Sequence, residues 1–333
     1  MSSNQAKDLS HLHWGIIGCG DVTEVKSGPA FNKVAGSSLQ AVMRRDEGKA
    51  ADYAQRHKVP SYYSNANDLI NDPAVNAIYI ATPPKYHEEY VMAALETGKP
   101  IYVEKPITTN VAACERLLAA TTALNTKVSV AHYRRGLPMF LALKELIDND
   151  TLGKVRLVRM NFLQPFATKL IAATEDNWRI NPDIAGAGLF FDIAPHQIDM
   201  MLFLFGKARK YMGTSVNQSA LYKPEDLVTG IIEFENNVIF TGIWGFTMPE
   251  EVANDTCEII GDKGSVKFTF YGNSFELNLS GKKDTILFNP PGNIQQPMIQ
   301  KVVNYFQDKG ENPCSIQDAL ESMKIMQCFV YNR

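Results

Sequence analysis

The sequence predicts an α/β domain with a doubly wound parallel sheet, followed by an α+β domain with a large, open, mainly antiparallel sheet flanked by helices. The chain of 333 residues is long for one hydrophobic core. Its first part alternates strand-like and helix-like segments with short links, which is typical of a parallel sheet. From residue 211 to residue 287, strand-like runs are separated by tight turns, which is typical of antiparallel pairing. We expect the domains at residues 12–131 and 132–333.

Composition limits the class of partner. A formal net charge of −3 and a hydrophobic content of 45% indicate a globular protein with neither nucleic acid nor a membrane surface as partner. The five cysteines include no C-x-x-C pair, so neither a disulfide framework nor a metal site is indicated. Residues 1–12 hold no apolar leader, and no run approaches the ~18 apolar residues of a membrane span. We therefore expect a cytoplasmic protein.

The first domain is organised around residues 14–22, a buried strand that continues into a glycine turn and a helix expected over residues 22–33. Gly18 is expected to make the tight turn, and Gly20 to let backbone N–H groups approach a pyrophosphate. Thr23 occupies the third glycine position of the dinucleotide fingerprint, so an ordinary strand–helix turn is an equal alternative. If a cofactor binds, the expected contacts are Gly18, Cys19, Gly20, Asp21 and Val22.

The second strand of this domain ends at Arg44 and Arg45. Dinucleotide-binding folds carry an acidic residue at this position when they bind the adenosine ribose of NAD. A guanidinium instead pairs with a 2′-phosphate and stacks on adenine. The sequence therefore favours NADP(H), with NAD(H) possible, and the alternative interpretation is two solvated arginines at a strand end.

Two further segments follow later strands of the same sheet, Ala81-Thr82-Pro83-Pro84 and Glu104-Lys105-Pro106. Because ligands bind at the carboxyl ends of parallel strands, we expect both segments beside the glycine turn. Lys105 can hydrogen-bond a substrate oxygen or help to move its proton, although a surface lysine is the more usual interpretation. Pro106 fixes the local backbone, where a cis peptide bond is accessible.

The sharpest signal in the second half is residues 186–199. Asp192, His196 and Asp199 share one face at helical spacing, and a histidine near carboxylates is a common general acid or base. Pro195 starts or kinks this helix. The alternative is a histidine that is merely packed, because the apolar residues of the segment clearly face a core.

Together these segments resemble the Gfo/Idh/MocA oxidoreductases, the family of glucose–fructose oxidoreductase and inositol dehydrogenase. The resemblance spans nearly the whole chain and rests on residues 15–20, 81–84 with His87, 104–106, Trp178-Arg179 and 188–199. It implies a Rossmann fold for the first domain and places Lys105 at both the nicotinamide and the substrate. The other cofactor contacts that it implies are Thr82, Pro83, Pro84, His87, Glu104, Trp178 and Arg179. For the last two, a packing tryptophan with a surface arginine is the alternative.

The resemblance also implies the reaction, a hydride transfer between NAD(P) and a carbinol or ketone of a sugar, a sugar derivative or a cyclic polyol. It implies that His196 exchanges the hydroxyl proton, that Asp192 orients or assists it, and that Lys105 polarises the oxygen. Candidates for the substrate pocket are Tyr133, Arg134, Phe166 and Asn177. A catalytically silent cofactor-binding regulator and an NAD-dependent glycoside-cleaving enzyme are the alternatives, and the presence of the three catalytic candidates favours the dehydrogenase.

The strand-like runs of the second domain predict one sheet face that packs on helices and one that needs another cover. Trp244 and the Val, Ile and Phe residues of these runs are expected on the open face. An apolar face of this size is typical of an association surface. We therefore expect a homodimer or homotetramer that forms through this sheet.

Overall fold

The computed structural model describes residues 8–166 and 177–331, which form two compact units. The first unit comprises the described residues up to Thr108, together with Ala112–Gly136 and Pro291–Gln317. The second comprises Thr109–Val111, the described part of Leu137–Pro290, and the described residues from Asp318 onward. The predicted boundary at residue 131 assigns residues 291–317 to the second domain, whereas their contacts group them with the first unit. Contacts between residues far apart in the sequence determine where residues 291–317 pack, and local patterns of polarity cannot predict such contacts.

Fourteen strands occur in the described residues. In chain order they are β1 Leu12–Ile17, β2 Ser37–Met43, β3 Ser61–Tyr63, β4 Ala77–Ile80, β5 Ile101–Val103, β6 Val128–Val130, β7 Val155–Leu163, β8 Ala208–Val216, β9 Leu227–Phe234, β10 Ile239–Gly245, β11 Asn254–Gly261, β12 Gly264–Phe268, β13 Ser274–Leu279 and β14 Lys282–Leu287. The α-helices of the same residues are α1 Asp21–Val25, α2 Glu47–His57, α3 Ala66–Asn71, α4 His87–Leu95, α5 Val111–Leu124, α6 Pro138–Asp148, α7 Pro182–Ala185, α8 Gly188–Phe205, α9 Gln296–Phe306 and α10 Ile316–Tyr331.

The sheet of the first unit has the order β3-β2-β1-β4-β5-β6, and all its described pairs are parallel. This order confirms the predicted doubly wound Rossmann sheet. The strand order reverses between β1 and β4, so the carboxyl ends of these two strands flank the crevice in which such sheets bind ligands. β4 is buried at every position, as expected for a strand that is covered on both faces.

The first helix is shorter than the sequence predicts. The sequence suggests a helix over residues 22–33, whereas α1 ends at Val25 and a 3-10 turn covers Gly28–Asn32. Pro29 has no N–H to continue an α-helix, and a side chain at residue 28 would overlap the Tyr53 hydroxyl and the Thr23 carbonyl. The break therefore lets the chain pass close to α2.

Aromatic side chains pack against one another in the core of the first unit. The ring centroids of Trp14 and Phe31 lie 4.8 Å apart, and those of Tyr79 and Tyr102 lie 5.2 Å apart in a stacked arrangement. Phe306 of α9 reaches Trp14 at 5.7 Å, so the returning segment contributes to this core. Aromatic pairs at these separations stabilise a core beyond the area that they bury.

The sheet of the second unit has the order β14-β13-β12-β11-β7-β10-β9-β8. Among the described strands only the pair β7–β10 is parallel, which confirms a mainly antiparallel sheet. The prediction that Trp244 lies on the open face is wrong. Its indole N–H donates to Gln197 Oε1 of α8 over 3.0 Å, and its ring meets Phe190 at 5.2 Å, so Trp244 packs on the helical layer. None of the described helices is both long and apolar enough to cross a bilayer.

Candidate functional site

The glycine turn after β1 has the geometry that the sequence predicts. Gly18 has a φ of +94°, and the N–H groups of Gly18 and Cys19 donate to the Met43 carbonyl over 2.9 and 3.1 Å. A Cβ on Gly18 would lie 2.8–3.0 Å from Thr82 and from the Ala81 carbonyl carbon. Glycine is therefore required both by the left-handed backbone and by the close approach of the neighbouring turn.

Gly20 precedes α1 and faces open space, because a Cβ there would meet no heavy atom within 4 Å. Thr23, which replaces the third fingerprint glycine, is fully buried and donates its hydroxyl to the Gly20 carbonyl over 2.7 Å. The threonine thus closes the turn from within and leaves the outer surface of Gly20 clear. Thr82 Oγ1 is buried, and among the described residues it has no hydrogen-bond partner. An open surface over Gly20 and an unsatisfied hydroxyl at Thr82 fit a phosphate-bearing cofactor.

Arg44 and Arg45 diverge at the end of β2. Arg44 is half-buried, and its Nη1 lies 3.4 Å from the Cys19 carbonyl oxygen, beside the glycine turn. Arg45 is exposed, and its guanidinium lies 5.1 Å from the centre of the Tyr86 ring. Burial raises the pKa of Cys19 to about 11 against the opposing charge of Arg44, so the thiol in this turn is protonated at neutral pH. The Cys19 side chain is fully buried, so it fills space within the turn.

Glu104 is the centre of a buried hydrogen-bond network at the end of β5. Its Oε1 accepts from the Tyr79 hydroxyl over 2.7 Å and from Gln295 Nε2 over 2.8 Å, and its Oε2 accepts from the Lys105 N–H over 3.1 Å. Burial and the adjacent Glu104 carboxylate raise the pKa of Tyr79 well above its ordinary value, so this hydroxyl keeps its proton. The Lys105–Pro106 peptide bond is cis. The turn that carries Lys105 is therefore fixed by a satisfied, buried carboxylate.

His87 joins the two turns that the sequence assigns to the cofactor. The ring is fully buried, with Nε2 2.7 Å from the Thr82 carbonyl oxygen and Nδ1 3.0 Å from that of Pro106. Burial lowers the pKa of His87, and it outweighs the carbonyl oxygens beside the two ring nitrogens, which raise it. The structure thus brings residues 81–84 and 104–106 together and places His87 beneath both.

In the second unit, Trp178 and Arg179 lie in a 3-10 turn against α8. Arg179 Nε donates to Asp192 Oδ2 over 3.0 Å, and its guanidinium lies 4.5 Å from the centre of the Trp178 ring. The side chains of Arg179 and Asp192 are 13% and 15% exposed, so this ion pair is largely removed from solvent. The carboxylate that the sequence pairs with His196 therefore has a guanidinium partner that sequence spacing does not reveal.

Helix α8 carries Asp192 and His196 as the sequence predicts, with Pro195 inside the helix. Gly188 begins the helix at a φ of +62°, and a Cβ there would lie 2.6 Å from Pro224. His196 and Asp199 are both buried. Lys105 belongs to the first unit and His196 to the second, so their joint action remains a prediction.

The substrate-pocket candidates have different environments. Tyr133 and Arg134 are buried in a 3-10 turn of the first unit, with the guanidinium 5.4 Å from the Tyr133 ring centre. In the second unit, Asn177 is exposed at a φ of +36°, and Phe166 stacks on Tyr222 at 5.5 Å. The role of these four residues in substrate binding stays a prediction.

Sequence reasoning missed two residues of this arrangement, Tyr79 and Gln295. Tyr79 lies within a buried strand, where an aromatic side chain is expected to be part of the hydrophobic core. Gln295 is 191 positions from Glu104, in a polar stretch without a motif. The sequence offers no signal for either hydrogen bond.

Comparison with known proteins supports the family resemblance. Residues 12–132 match the family model described as "Oxidoreductase family, NAD-binding Rossmann fold", and residues 140–267 match the "GFO/IDH/MocA C-terminal domain". Oxidoreductase P35 of Formosa agariphila is 43% identical over 320 residues, which cover 96% of this chain and 98% of that protein.

Two solved structures share the fold. A levoglucosan dehydrogenase in complex with NADH has a TM-score of 0.86 at 22% identity, with 96% of each chain covered. An aldose–aldose oxidoreductase from Caulobacter crescentus, complexed with glycerol, has a TM-score of 0.84 at 20% identity, also with 96% of each chain covered.

Proposed function

Because the chain belongs to the Gfo/Idh/MocA family of NAD-binding oxidoreductases, we propose that it transfers hydride between NAD(P) and a carbinol or ketone of a sugar, a sugar derivative or a cyclic polyol. The observation that carries this proposal is Lys105 on a turn fixed by the buried Glu104 carboxylate, at the cofactor edge of the sheet. The names of two structural neighbours, which refer to levoglucosan and to aldoses, support a sugar-like substrate.

Each catalytic candidate has a separate task in the proposed reaction. When bound, NAD(P) supplies the ring carbon that exchanges hydride with the substrate. Lys105 hydrogen-bonds the substrate oxygen and stabilises the charge that develops on it. His196 takes the hydroxyl proton during oxidation and returns it during reduction. Asp192, held by Arg179, contributes a fixed negative charge that stabilises the protonated imidazole.

The proposed cofactor contacts follow from the geometry of the first unit. The surface over Gly20 and the first amides of α1, those of Asp21 and Val22, bind the pyrophosphate, because the N–H groups of residues 18–20 already donate to main-chain carbonyls. Thr82 with the two following prolines lines the nicotinamide side. His87 acts from beneath, through the carbonyls of Thr82 and Pro106, because its ring is fully buried. Trp178 and Arg179 are proposed to border the nicotinamide. The half-buried Arg44, next to the Cys19 carbonyl, supports a preference for NADP(H).

The experiment that tests the reaction combines a substrate panel with two substitutions. Sugars, polyols and keto sugars are assayed with NADP(H) and NAD(H) in parallel, and the best pair is used for Lys105→Met and His196→Ala. We expect cofactor binding to persist in both variants while turnover falls by ~100-fold or more. Unchanged turnover would remove these residues from the mechanism. Tight cofactor binding without turnover on any substrate would support a catalytically silent regulator. Glycoside cleavage without net change in nicotinamide absorbance would support the NAD-dependent glycoside-cleaving enzyme.

Self-association through the sheet of the second unit is also proposed. Its outer face carries Met212, Ile231 and Ile243, which are 66%, 44% and 39% exposed on adjacent strands β8, β9 and β10. Met212 lies directly opposite Ile231 in the register, so the apolar side chains form one patch. A second copy of the chain would remove this patch from water. Sedimentation as a strict monomer at micromolar concentration would reject the proposal. A cytoplasmic location is likewise proposed, and composition alone supports it.

A further inference from the structure

Residues 291–296, the first part of the segment that returns to the first unit, lie against the end of α1. Asn293 Nδ2 donates to the Val25 carbonyl over 2.6 Å, and the Gln295 N–H donates to the Lys26 carbonyl over 3.3 Å. Lys33 Nζ donates to Asn293 Oδ1 over 2.7 Å from the following 3-10 turn. This segment is therefore held by the helix that follows the glycine turn.

The Gln295 side chain points from this segment to the Glu104 carboxylate. It is 1% exposed, and its Nε2 lies 2.8 Å from Glu104 Oε1, the oxygen that also accepts from Tyr79. Two donors on Oε1 fix the orientation of the carboxylate plane. Oε2 is thereby directed at the Lys105 N–H, 3.1 Å away, and sets the backbone from which the lysine side chain begins.

We propose that Gln295 is a positioning residue for Lys105, acting through the Glu104 carboxylate. The inference rests on the proposed function of Lys105. A buried carboxylate that loses one donor rotates or draws in water to replace it, because an unsatisfied charged oxygen is costly. Either change loosens the acceptor of the Lys105 amide. Displacement of a reacting group by ~1 Å costs about 100-fold in rate, so the hydrogen bond of a remote glutamine affects turnover.

The returning segment also offers a matched control. Gln300, on α9, accepts from the Ala35 N–H over 2.8 Å through its side-chain oxygen. This glutamine ties the same helix to the same unit but makes no described contact with Glu104. Gln300→Leu therefore removes a comparable tether while leaving the carboxylate untouched.

The experiment compares Gln295→Leu with Gln300→Leu and with Tyr79→Phe, which removes the other donor to Oε1 and keeps the aromatic ring. The first readout is hydrogen–deuterium exchange of the peptide that contains the Lys105 amide, measured on the full chain without added cofactor. We expect exchange to rise ~10-fold or more in Gln295→Leu and in Tyr79→Phe, and to stay near the wild-type rate in Gln300→Leu.

The second readout separates kcat from KM, using the best sugar or polyol of the panel with NADPH or NADH. We expect kcat to fall ~10–100-fold in Gln295→Leu while the cofactor Kd stays within ~3-fold of the wild-type value. Lys105→Met is measured in parallel. If Lys105→Met abolishes turnover and Gln295→Leu does not, the inference about Gln295 alone fails. If Lys105→Met retains turnover, the proposed function fails and the inference fails with it.

Two further outcomes would overturn the proposal. An equal rise in exchange or an equal fall in kcat for Gln300→Leu would show that the segment acts only as a general tether. Unchanged exchange at the Lys105 amide in Gln295→Leu would show that the carboxylate keeps its place without this donor. If Gln295→Leu does not fold, Gln295→Met replaces it in both readouts, because it removes the same donor and keeps the length of the side chain.

Discussion

Gly20→Ala should leave the unliganded protein nearly as stable as the wild type but should weaken cofactor binding. The backbone at Gly20 has φ −123° and ψ −156°, which any residue adopts, and a Cβ there meets no heavy atom within 4 Å. Glycine is moderately better than alanine before a helix, so we expect a stability loss of ~0.5–1 kcal/mol. For a chain of this size that loss lowers the thermal midpoint by ~1–3 °C.

The effect on the cofactor should be much larger. A pyrophosphate that accepts hydrogen bonds from the turn amides must approach the backbone within the space that the new methyl group would take. Losing one such charge-assisted hydrogen bond costs ~1.5–3 kcal/mol, which corresponds to a ~10–100-fold rise in the Kd of NADPH or NADH. Isothermal titration or the fluorescence of bound NADPH measures this change directly.

Gly18→Ala provides the contrasting control, because its damage precedes cofactor binding. A Cβ there lies 2.8–3.0 Å from Thr82 and from the Ala81 main chain, at a φ of +94°, so the unliganded protein should lose several degrees of thermal stability. Gly20→Ala should thus change binding without unfolding, and Gly18→Ala should change both. If Gly20→Ala binds NADPH and NADH as the wild type does, the pyrophosphate does not lie over this turn and the assignment of the cofactor site is wrong.

Three more substitutions test the proposed 2′-phosphate contact, the Arg179–Asp192 ion pair and the contribution of Glu24 to stability. Arg44→Ala should weaken NADPH binding ~10–100-fold and NADH binding far less, and an equal loss for both cofactors would contradict the 2′-phosphate assignment. Arg179→Leu should lower kcat ~10-fold or more, because it leaves the largely buried Asp192 carboxylate without its guanidinium. Arg179→Lys should restore part of the lost kcat. Unchanged kcat in both variants would show that this ion pair is only structural. Hydrogen bonds from Arg56 hold the pKa of Glu24 at about 2, below its ordinary 4.5, so the stability that Glu24 contributes is present above pH 4.5 and is lost as pH falls towards 2. The thermal midpoint of Glu24→Gln should therefore lie below that of the wild type at pH 7 and approach it near pH 2, and a constant difference across this range would refute the linkage.

Sequence reasoning succeeds where local patterns decide the structure. β1 and β4 are short apolar runs that end at glycine or proline, and both form central strands of the parallel sheet. The spacing of Asp192 and His196 predicts a shared helix face because α-helical periodicity is fixed by backbone geometry. Gly18 is predictable for a similar reason, since few residues adopt the left-handed backbone of this turn.

The face of a strand is harder to predict when both of its faces are apolar. In β10, Phe240 and Trp244 alternate with Ile239 and Ile243, so hydrophobic alternation gives no preference for either side. The register with α8 decides the matter, because the Trp244 indole N–H finds a buried acceptor in Gln197. The smaller Ile243 is left on the outer face, where the sequence had suggested the tryptophan.

Buried polar contacts between distant segments are the least predictable from sequence. Glu104 and Lys105 form a recognisable motif, but the donors that hold the carboxylate are a strand tyrosine and a glutamine from a segment that leaves the unit and returns. Gln300 shows what a simple tether in this segment looks like, since its side-chain oxygen bonds a main-chain amide. Gln295 differs because its partner is the buried carboxylate of the motif, where the cost of an unsatisfied oxygen is high. A glutamine without any sequence signature can therefore hydrogen-bond the buried carboxylate of a motif that lies 191 positions away.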